Sequence, residues 1–513
     1  MDMSTKGISM KVPNETKDVV IREVLPGGGQ QPASGGGSKE NANNNNAPVT
    51  SPVPPPVEEK PIDLPTIPML LEIKTCKYYH GIIPRVDAEM SLRYVGEYLL
   101  RRTEPKEGIG GQYLVISVKR EGGFVHVPLS QEPDGLKQFY FMPTVKATSV
   151  LEVIDGHLAR GLPICIAWNA YLRKAVNRST WIISHEDVIL YKKIGSGAFG
   201  EVFLARMVDP TSEYVLDCAV KKLKTEATMD AKLRFMKEAR MMRKCYNHKH
   251  VVMIFGIATL NSPLLILMEL CPNGSLVSHL RKNKGKGTIL EKLRFTAEAA
   301  SGLAYLEKMN CIHRDVAARN CLLSAKNEIK ISDFGLADSK GMAIDHSLDK
   351  LPIKWLAPET MQDKVYSLKS DIWAFGIMVW EIFADGDEPY PNLNNTQARA
   401  KIVVLDYRMK FPDETPADVV QVVGTCWNKN PDQRSMMSAH AVALQHIYET
   451  MRFILPLPAP VPPVPSPTTP FTSTPTAFTT PLTPTTLNPL TPNPNPNPPP
   501  DQYPAFSPPS DNC

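Results

Sequence analysis

The stretch Cys311-Ile-His-Arg-Asp315-Val-Ala-Ala-Arg319-Asn320 decides how the rest of the chain is read, together with Asp333-Phe-Gly335, which begins thirteen residues after Asn320. Two carboxylates and an amide in this order suit phosphoryl transfer, which needs positioning and charge neutralisation more than covalent help. Asp315 is the candidate to accept a substrate hydroxyl proton. Asn320 and Asp333 are hard oxygen donors suited to Mg²⁺ carried with the phosphates of ATP. Any one of them alone could be a capping Asp or a turn Asn. The ordered set carries the argument.

Upstream, Ile194-Gly195-Ser196-Gly197-Ala198-Phe199-Gly200-Glu201-Val202 holds a G-x-G-x-x-G-x-V pattern, in which three glycines let the backbone approach phosphates with no Cβ in the way. A dinucleotide-binding turn uses similar spacing. That fold wants an acidic residue about twenty positions on, and this chain supplies Cys218-Ala219-Val220-Lys221 there. Lys221 sits in a short apolar strand, where a charge is costly unless paired. Glu238, among Phe235, Met236, Ala239 and Met242 on an expected helix, is the candidate partner. The pair fits a lysine that holds the α- and β-phosphates and a glutamate that orients it.

The 513 residues are 42% hydrophobic and 21% charged with a formal net charge of +4, room for two to four domains and no basic excess pointing to nucleic acid. Of the 48 prolines, 21 fall after Leu455 and 11 precede Met69. Residues 1–70, with Gly, Asn and Pro runs, and the Pro/Thr-rich stretch 456–513 are expected to be disordered. The latter favours polyproline II, as a ligand for SH3-type or WW-type grooves or as a solvated tail with no partner. Nine cysteines without a CxxC pair read as free thiols in a reducing compartment. No apolar h-region opens the chain, and no run approaches the ~18 residues of a membrane helix. Asp2 excludes N-myristoylation, and Cys513 is last rather than fourth from the end, which argues against prenylation. A soluble, cytoplasmic protein is expected.

Between the two ends, strands and helices alternate. Gln112–Val118 and Phe124–Pro128 read as strands, and Ala147–Leu158 as a helix with Val150, Leu151, Ile154 and Leu158 on one face. Leu293, Ala297, Ala300, Leu303, Ala304 and Leu306 form a second helical stripe, read as a core face.

Residues 187–449 resemble the eukaryotic protein kinase family. The resemblance implies that Ala357-Pro-Glu359 closes the activation loop, that Arg434 pairs with Glu359, and that Asp371 supports the catalytic loop. It also implies that Met268 guards the back of the adenine pocket, with Glu269 to Cys271 as the hinge. Ala317-Ala318-Arg319 before Asn320 and Pro352-Ile-Lys-Trp355 take the tyrosine-kinase form, against the serine/threonine form, so Arg319 joins Asp315, Lys221 and Glu238 as a candidate catalytic residue.

Residues 77–171 resemble an SH2 domain, through Tyr79-His-Gly81, Arg85 with Ala88-Glu89, and Gly96-Glu-Tyr-Leu-Leu-Arg101-Arg-Thr103; Tyr78 stands where that family has Trp. A planar guanidinium making two parallel hydrogen bonds is the group for a phosphate. Counting from Gly96 gives Arg101 rather than the adjacent Arg102, and Arg85, Thr103 and His126 would complete a phosphotyrosine pocket.

The implied fold is α+β: an SH2 domain, a central antiparallel sheet with two flanking helices, then a linker (172–186) and a bilobal kinase domain. This order is most similar to the Fes/Fer group of non-receptor tyrosine kinases. The group implies ATP and Mg²⁺, with Mn²⁺ as the alternative ion, protein tyrosines as substrates, and recruitment by tyrosine-phosphorylated partners, including at the inner face of the plasma membrane. A non-catalytic phosphotyrosine-binding scaffold is the alternative reading. Its one support is a departure: no tyrosine lies between Gly335 and Ala357. The family switch phosphorylates a tyrosine there to give Arg314 an anionic partner. Asp345 and Asp349, flanking His346, are expected to substitute in part for that phosphate. Val316 for Leu and Ser435 for Pro are smaller departures.

Overall fold

The computed structural model describes residues 67–103, 113–132, 138–197, 200–208, 215–224, 227–339, 342–344 and 352–454. They divide after Arg178 into two units. The tail regions 1–66 and 455–513 lie outside the described residues, as do the expectations placed on them.

The first unit is built from α1 (Ile67–Lys74), β1 (Tyr79–Ile82), α2 (Arg85–Ser91), β2 (Glu97–Thr103), β3 (Tyr113–Arg120), β4 (Gly123–Pro128), β5 (Ser130–Gln131), β6 (Phe139–Tyr140), α3 (Val150–Arg160) and β7 (Lys174–Ala175). Strands β2, β3 and β4 run antiparallel, while β1 and β7 each pair parallel with β2, at different places along one edge. From Glu97 to Arg102 every residue of β2 is buried. A strand covered on both faces loses the in–out alternation that a half-exposed strand shows. Helix α3 starts three residues later than the periodicity predicts. The Ser149 hydroxyl accepts from the Glu152 N–H and caps it there, and Gly161 at φ 60° ends it.

Two differences from the expected boundaries follow from long-range contacts. Helix α1 begins inside the segment expected to be disordered. Its Ile73 is fully buried, and its Glu72 carboxylate accepts from the Ser149 hydroxyl at the start of α3. The expected linker 172–186 is divided between the units. Val176 N–H donates to the Tyr98 carbonyl (2.8 Å), and Arg178 Nη1 donates to the Cys76 and Tyr79 carbonyls in the first unit. Ile183 and Trp181 pair through their backbones with Ile257 in the second.

The second unit opens with the antiparallel sheet β11-β12-β10-β9-β8, made of β8 (Val188–Ser196), β9 (Gly200–Val208), β10 (Val215–Leu223), β11 (Ile254–Ala258) and β12 (Leu265–Glu269). Helix α4 (Met229–Lys244) comes between β10 and β11 and buries Phe235, Met236, Glu238, Ala239, Met241 and Met242. The rest is mainly helical: α5 (Leu276–Lys282), α6 (Ile289–Lys308), the hairpin β13 (Cys321–Leu323) and β14 (Ile329–Ile331), β15 (Met342–Ile344), α7 (Pro358–Asp363), β16 (Val365–Ser367), α8 (Leu368–Phe383), α9 (Asn395–Val403), α10 (Ala417–Gly424) and α11 (Met437–Ile454). The second predicted stripe lies on α6, with Leu293, Ala297, Ala300, Leu303 and Leu306 buried. Helix α8 is buried on all sides from Ser370 to Phe383, as its continuous apolar run requires. Among the described residues no helix is long and apolar enough to cross a membrane. The eight described cysteines are free thiols.

Candidate active site and phosphate pocket

In the second unit, strand β10 carries Lys221 opposite Val202 of β9 and Ile266 of β12. Its ammonium donates to Glu238 Oε1 at 2.5 Å and stands 3.9 Å from Asp333 Oδ1. Burial works against the lysine charge, and Glu238 with Asp333 outweighs it, so the Lys221 pKa is raised above the ordinary value and the proton stays.

The glycine loop joins β8 to β9. Gly195 pairs with Val202 and Ser196 with Glu201, and Gly197 N–H donates to the Gly200 carbonyl at 2.8 Å. A Cβ on Gly200 would stand 2.4 Å from the Lys222 carbonyl oxygen, so only glycine fits there. Ile194 is half exposed. Ala198 and Phe199 lie outside the described residues. Ala219 is buried opposite Met268, the residue before Glu269 on β12. The Glu269 carboxylate is engaged with the Met253 N–H and Lys330 (both 2.8 Å). Burial pushes the Cys271 thiol up to about 12.

The catalytic-loop candidates converge on Asp315. One carboxylate oxygen accepts from Arg319 Nη2; the other accepts from Asn320 Nδ2 at 2.7 Å, and the same amide donates to the Asp315 carbonyl. With its amide nitrogen spent in this way, Asn320 has its amide oxygen as the remaining side-chain acceptor. Asp333 has φ 64°, a left-handed conformation rare for a non-glycine, and its side chain is half exposed. Among the described residues no three His, Cys, Asp or Glu side chains converge as a metal cage. One carboxylate and one amide oxygen instead suit an octahedral cation that brings phosphate and water oxygens with it.

A second tier of buried acids holds this loop. Asp371, in the first turn of α8, accepts from the His313 N–H (2.6 Å) and the Arg314 N–H (2.9 Å). Burial pushes its pKa up to about 6 against those bonds. Glu381, near the end of α8, accepts from the Ala318 N–H (3.0 Å) and Trp355 Nε1 (2.9 Å), and burial raises it to about 7. The Arg319 guanidinium lies 4.6 Å above the Trp355 ring. The sequence reading missed Glu381. Its signal was there, a carboxylate directly after the apolar run Ile372–Trp380. Arg434, fully buried, makes two parallel bonds to Glu359 at 2.6 and 2.8 Å. Asp345, His346 and Asp349 lie outside the described residues.

In the first unit, Arg101 faces the Ser117 side of β2, with Nε donating to Ser117 Oγ at 2.9 Å and Nη1 reaching the Ile83 carbonyl at 3.4 Å. Alternation along the strand turns Arg102 to the other face, beside Tyr79, and puts Thr103 on the face of Arg101. His126 bridges Ser117 Oγ (2.9 Å) and Glu89 Oε1 (3.1 Å), and exposed Arg85 donates to the same Glu89 oxygen (2.7 Å). Burial lowers the pKa of His126, and that of Arg101 to about 10. Ser117, which the sequence reading did not name, and Glu89, which it named only as part of the opening motif, join this cluster of side chains.

A profile of the protein tyrosine and serine/threonine kinase family matches residues 188–444. Fer-related kinase 1 of Caenorhabditis elegans is 52% identical over 383 residues, 74% of this chain and 96% of that protein. Tyrosine-protein kinase Fer of Homo sapiens is 36% identical over 364 residues, 70% of this chain and 42% of Fer. The Fps transforming protein of Fujinami sarcoma virus is 36% identical over 384 residues, 73% of this chain and 42% of Fps. The chain thus spans nearly all of the nematode relative and less than half of Fer and Fps.

Proposed function

The chain belongs to the Fes/Fer group of non-receptor protein-tyrosine kinases, and from that premise we propose that it transfers the ATP γ-phosphate to tyrosines of proteins to which its SH2-like unit binds through phosphotyrosine. The observation that carries this reading is the Lys221–Glu238 ion pair beside Asp333, because a scaffold has no use for a largely buried lysine held charged near a glycine loop.

Asp315 takes the tyrosine hydroxyl proton, and Arg319 and Asn320 fix its carboxylate. The glycine loop 195–200 with Ile194, Glu201 and Val202 covers the phosphates, while Ala219, Met268 and the hinge Glu269–Cys271 line the adenine. Asn320 and Asp333 hold Mg²⁺, which neutralises phosphate charge when bound; Mn²⁺ fits the same oxygens. Arg101, with Arg85, Thr103 and His126, receives the phosphate of a partner's phosphotyrosine. Tethering of this kind raises the effective substrate concentration without new contacts at the active site. A cytoplasmic location, recruitment to the inner face of the plasma membrane and SH3 or WW partners for the proline-rich stretch complete the proposal.

The test is phosphate transfer to a poly-Glu/Tyr peptide with Mg²⁺ and ATP, using phosphatase-treated protein. Asp315→Asn and Lys221→Met should each lower kcat by about a thousandfold or more. No transfer by any sample, with ATP still bound, would return the scaffold reading.

A further inference from the structure

We propose that an ion pair outside the nucleotide site, Lys237 with Asp338, is the latch that positions helix α4 and keeps Glu238 on Lys221. The inference rests on the reading of Lys221 and Glu238 as the nucleotide-orienting pair. Lys237 precedes Glu238 on α4, and one helical step sends the two side chains in directions about 100° apart. Glu238 enters the core toward Lys221, while Lys237 Nζ donates to Asp338 Oδ2 at 2.7 Å.

Asp338 is a fixed anchor. Its other carboxylate oxygen accepts from the Ser339 N–H at 2.8 Å. Its backbone pairs in both directions with Ile312, N–H to carbonyl at 2.8 and 2.9 Å. Ile312 immediately precedes His313-Arg-Asp315, and Asp338 follows Asp333-Phe-Gly335 by three residues. One side-chain contact therefore ties α4 to both backbone segments that carry the catalytic carboxylates.

In this chain that tie has no tyrosine phosphate to share its task, since no tyrosine lies between Gly335 and Ala357. The Arg314 guanidinium lies 4.1 Å above the Tyr366 ring. Tyr366 lies on β16, opposite Ala343 of β15, so the segment after Asp338 is also held by backbone pairing. The latch acts on α4, which carries Glu238, whereas β10, which carries Lys221, is held by backbone pairing to β9 and β12. Lys237 is 43% exposed and Asp338 15%, which keeps the pair modest, a bias on an equilibrium of α4 positions.

The experiment uses the full chain, phosphatase-treated, with kcat and the KM for ATP measured on poly-Glu/Tyr peptide alongside thermal melting. Lys237→Met and Asp338→Asn should each lower kcat/KM about threefold to tenfold, and the double variant should be no slower than the slower single. The charge swap Lys237→Asp with Asp338→Lys should recover most of the loss. Should a single variant melt early, the double-variant comparison still decides, because a shared pair gives non-additive losses and independent structural damage multiplies. Single variants at the full rate, multiplicative losses, or a swap no better than the singles would overturn the latch. Lys221→Met is run beside them. If it is inactive while the latch variants are unaffected, only the latch falls; if it is active, the orienting-pair reading falls and takes the latch with it.

Discussion

Arg101 in the first unit and three cations withdrawn from solvent in the second are handled in opposite ways. In the kinase unit three are closed by carboxylates: Lys221 by Glu238 at 2.5 Å, Lys292 by Asp385 at 2.7 Å, Arg434 by Glu359 at 2.6 Å. In the SH2-like unit, Arg101 is 3% exposed and donates to a hydroxyl, that of Ser117, and to a carbonyl, that of Ile83. Burial accordingly lowers its pKa to about 10, with the nearby Arg85 adding to the effect and Glu89 opposing it. A cation with its own counter-ion holds a conformation. One left with neutral partners stores an unmet demand for an anion, which a phosphate can supply.

The sharpest way to break this contrast is Arg101→Met. Phosphotyrosine-peptide affinity, measured by calorimetry, should fall by about a hundredfold to a thousandfold, and the melting temperature should hold or rise because an uncompensated charge leaves the core. An early melt with affinity retained would place Arg101 among the structural cations. Glu359→Gln tests the other side. It leaves Arg434 buried without a full counter-charge and should cost about 3 kcal/mol in denaturant unfolding of the second unit; a loss under about 0.5 kcal/mol would mean that the Lys369 and Asn428 carbonyls suffice for that guanidinium.

The smallest effect concerns the acids that hold the catalytic loop. Burial lifts Glu381 from 4.5 to about 7, so the folded state favours its protonated form. Its contribution to stability is full below about pH 4.5 and is lost as pH rises through 7. Between pH 5 and 8 the stability of the parent chain should therefore drop by about 1–2 kcal/mol relative to Glu381→Gln, whose amide stays neutral. Parallel pH profiles for the two proteins would show that the carboxylate is ionised at little cost.

The candidate active-site residues were legible because their spacing is local. His313-Arg-Asp315 with Asn320, Asp333-Phe-Gly335 and the glycine loop each lie within one turn or hairpin, where chemistry fixes residue type and separation together. Arg101 could be counted from Gly96, but its choice over Arg102 rested on position alone. The structure separates them by face, because a strand sends neighbours to opposite sides and only one side holds Ser117 and His126. The boundary residues were not legible. The pairing of Lys174–Ala175 with β2 and of Trp181–Ile183 with Ile257 satisfies backbone groups against sheets formed elsewhere in sequence, and no local pattern announces that.

By itself the sequence offered the candidate chemistry: a lysine, a glutamate, two aspartates and an asparagine in kinase order, an arginine on a strand suited to phosphate, and a loop with no tyrosine to phosphorylate. Only the tertiary structure decided which charges are shared. That Glu381 takes two donors from the catalytic loop and the Trp355 segment, and that Lys237 reaches Asp338 across a hundred residues, depends on burial and on meeting within 3.0 Å or less. Charges in water are screened and nearly independent of one another. They acquire partners, and shifted proton affinities, only where the fold has removed the water between them.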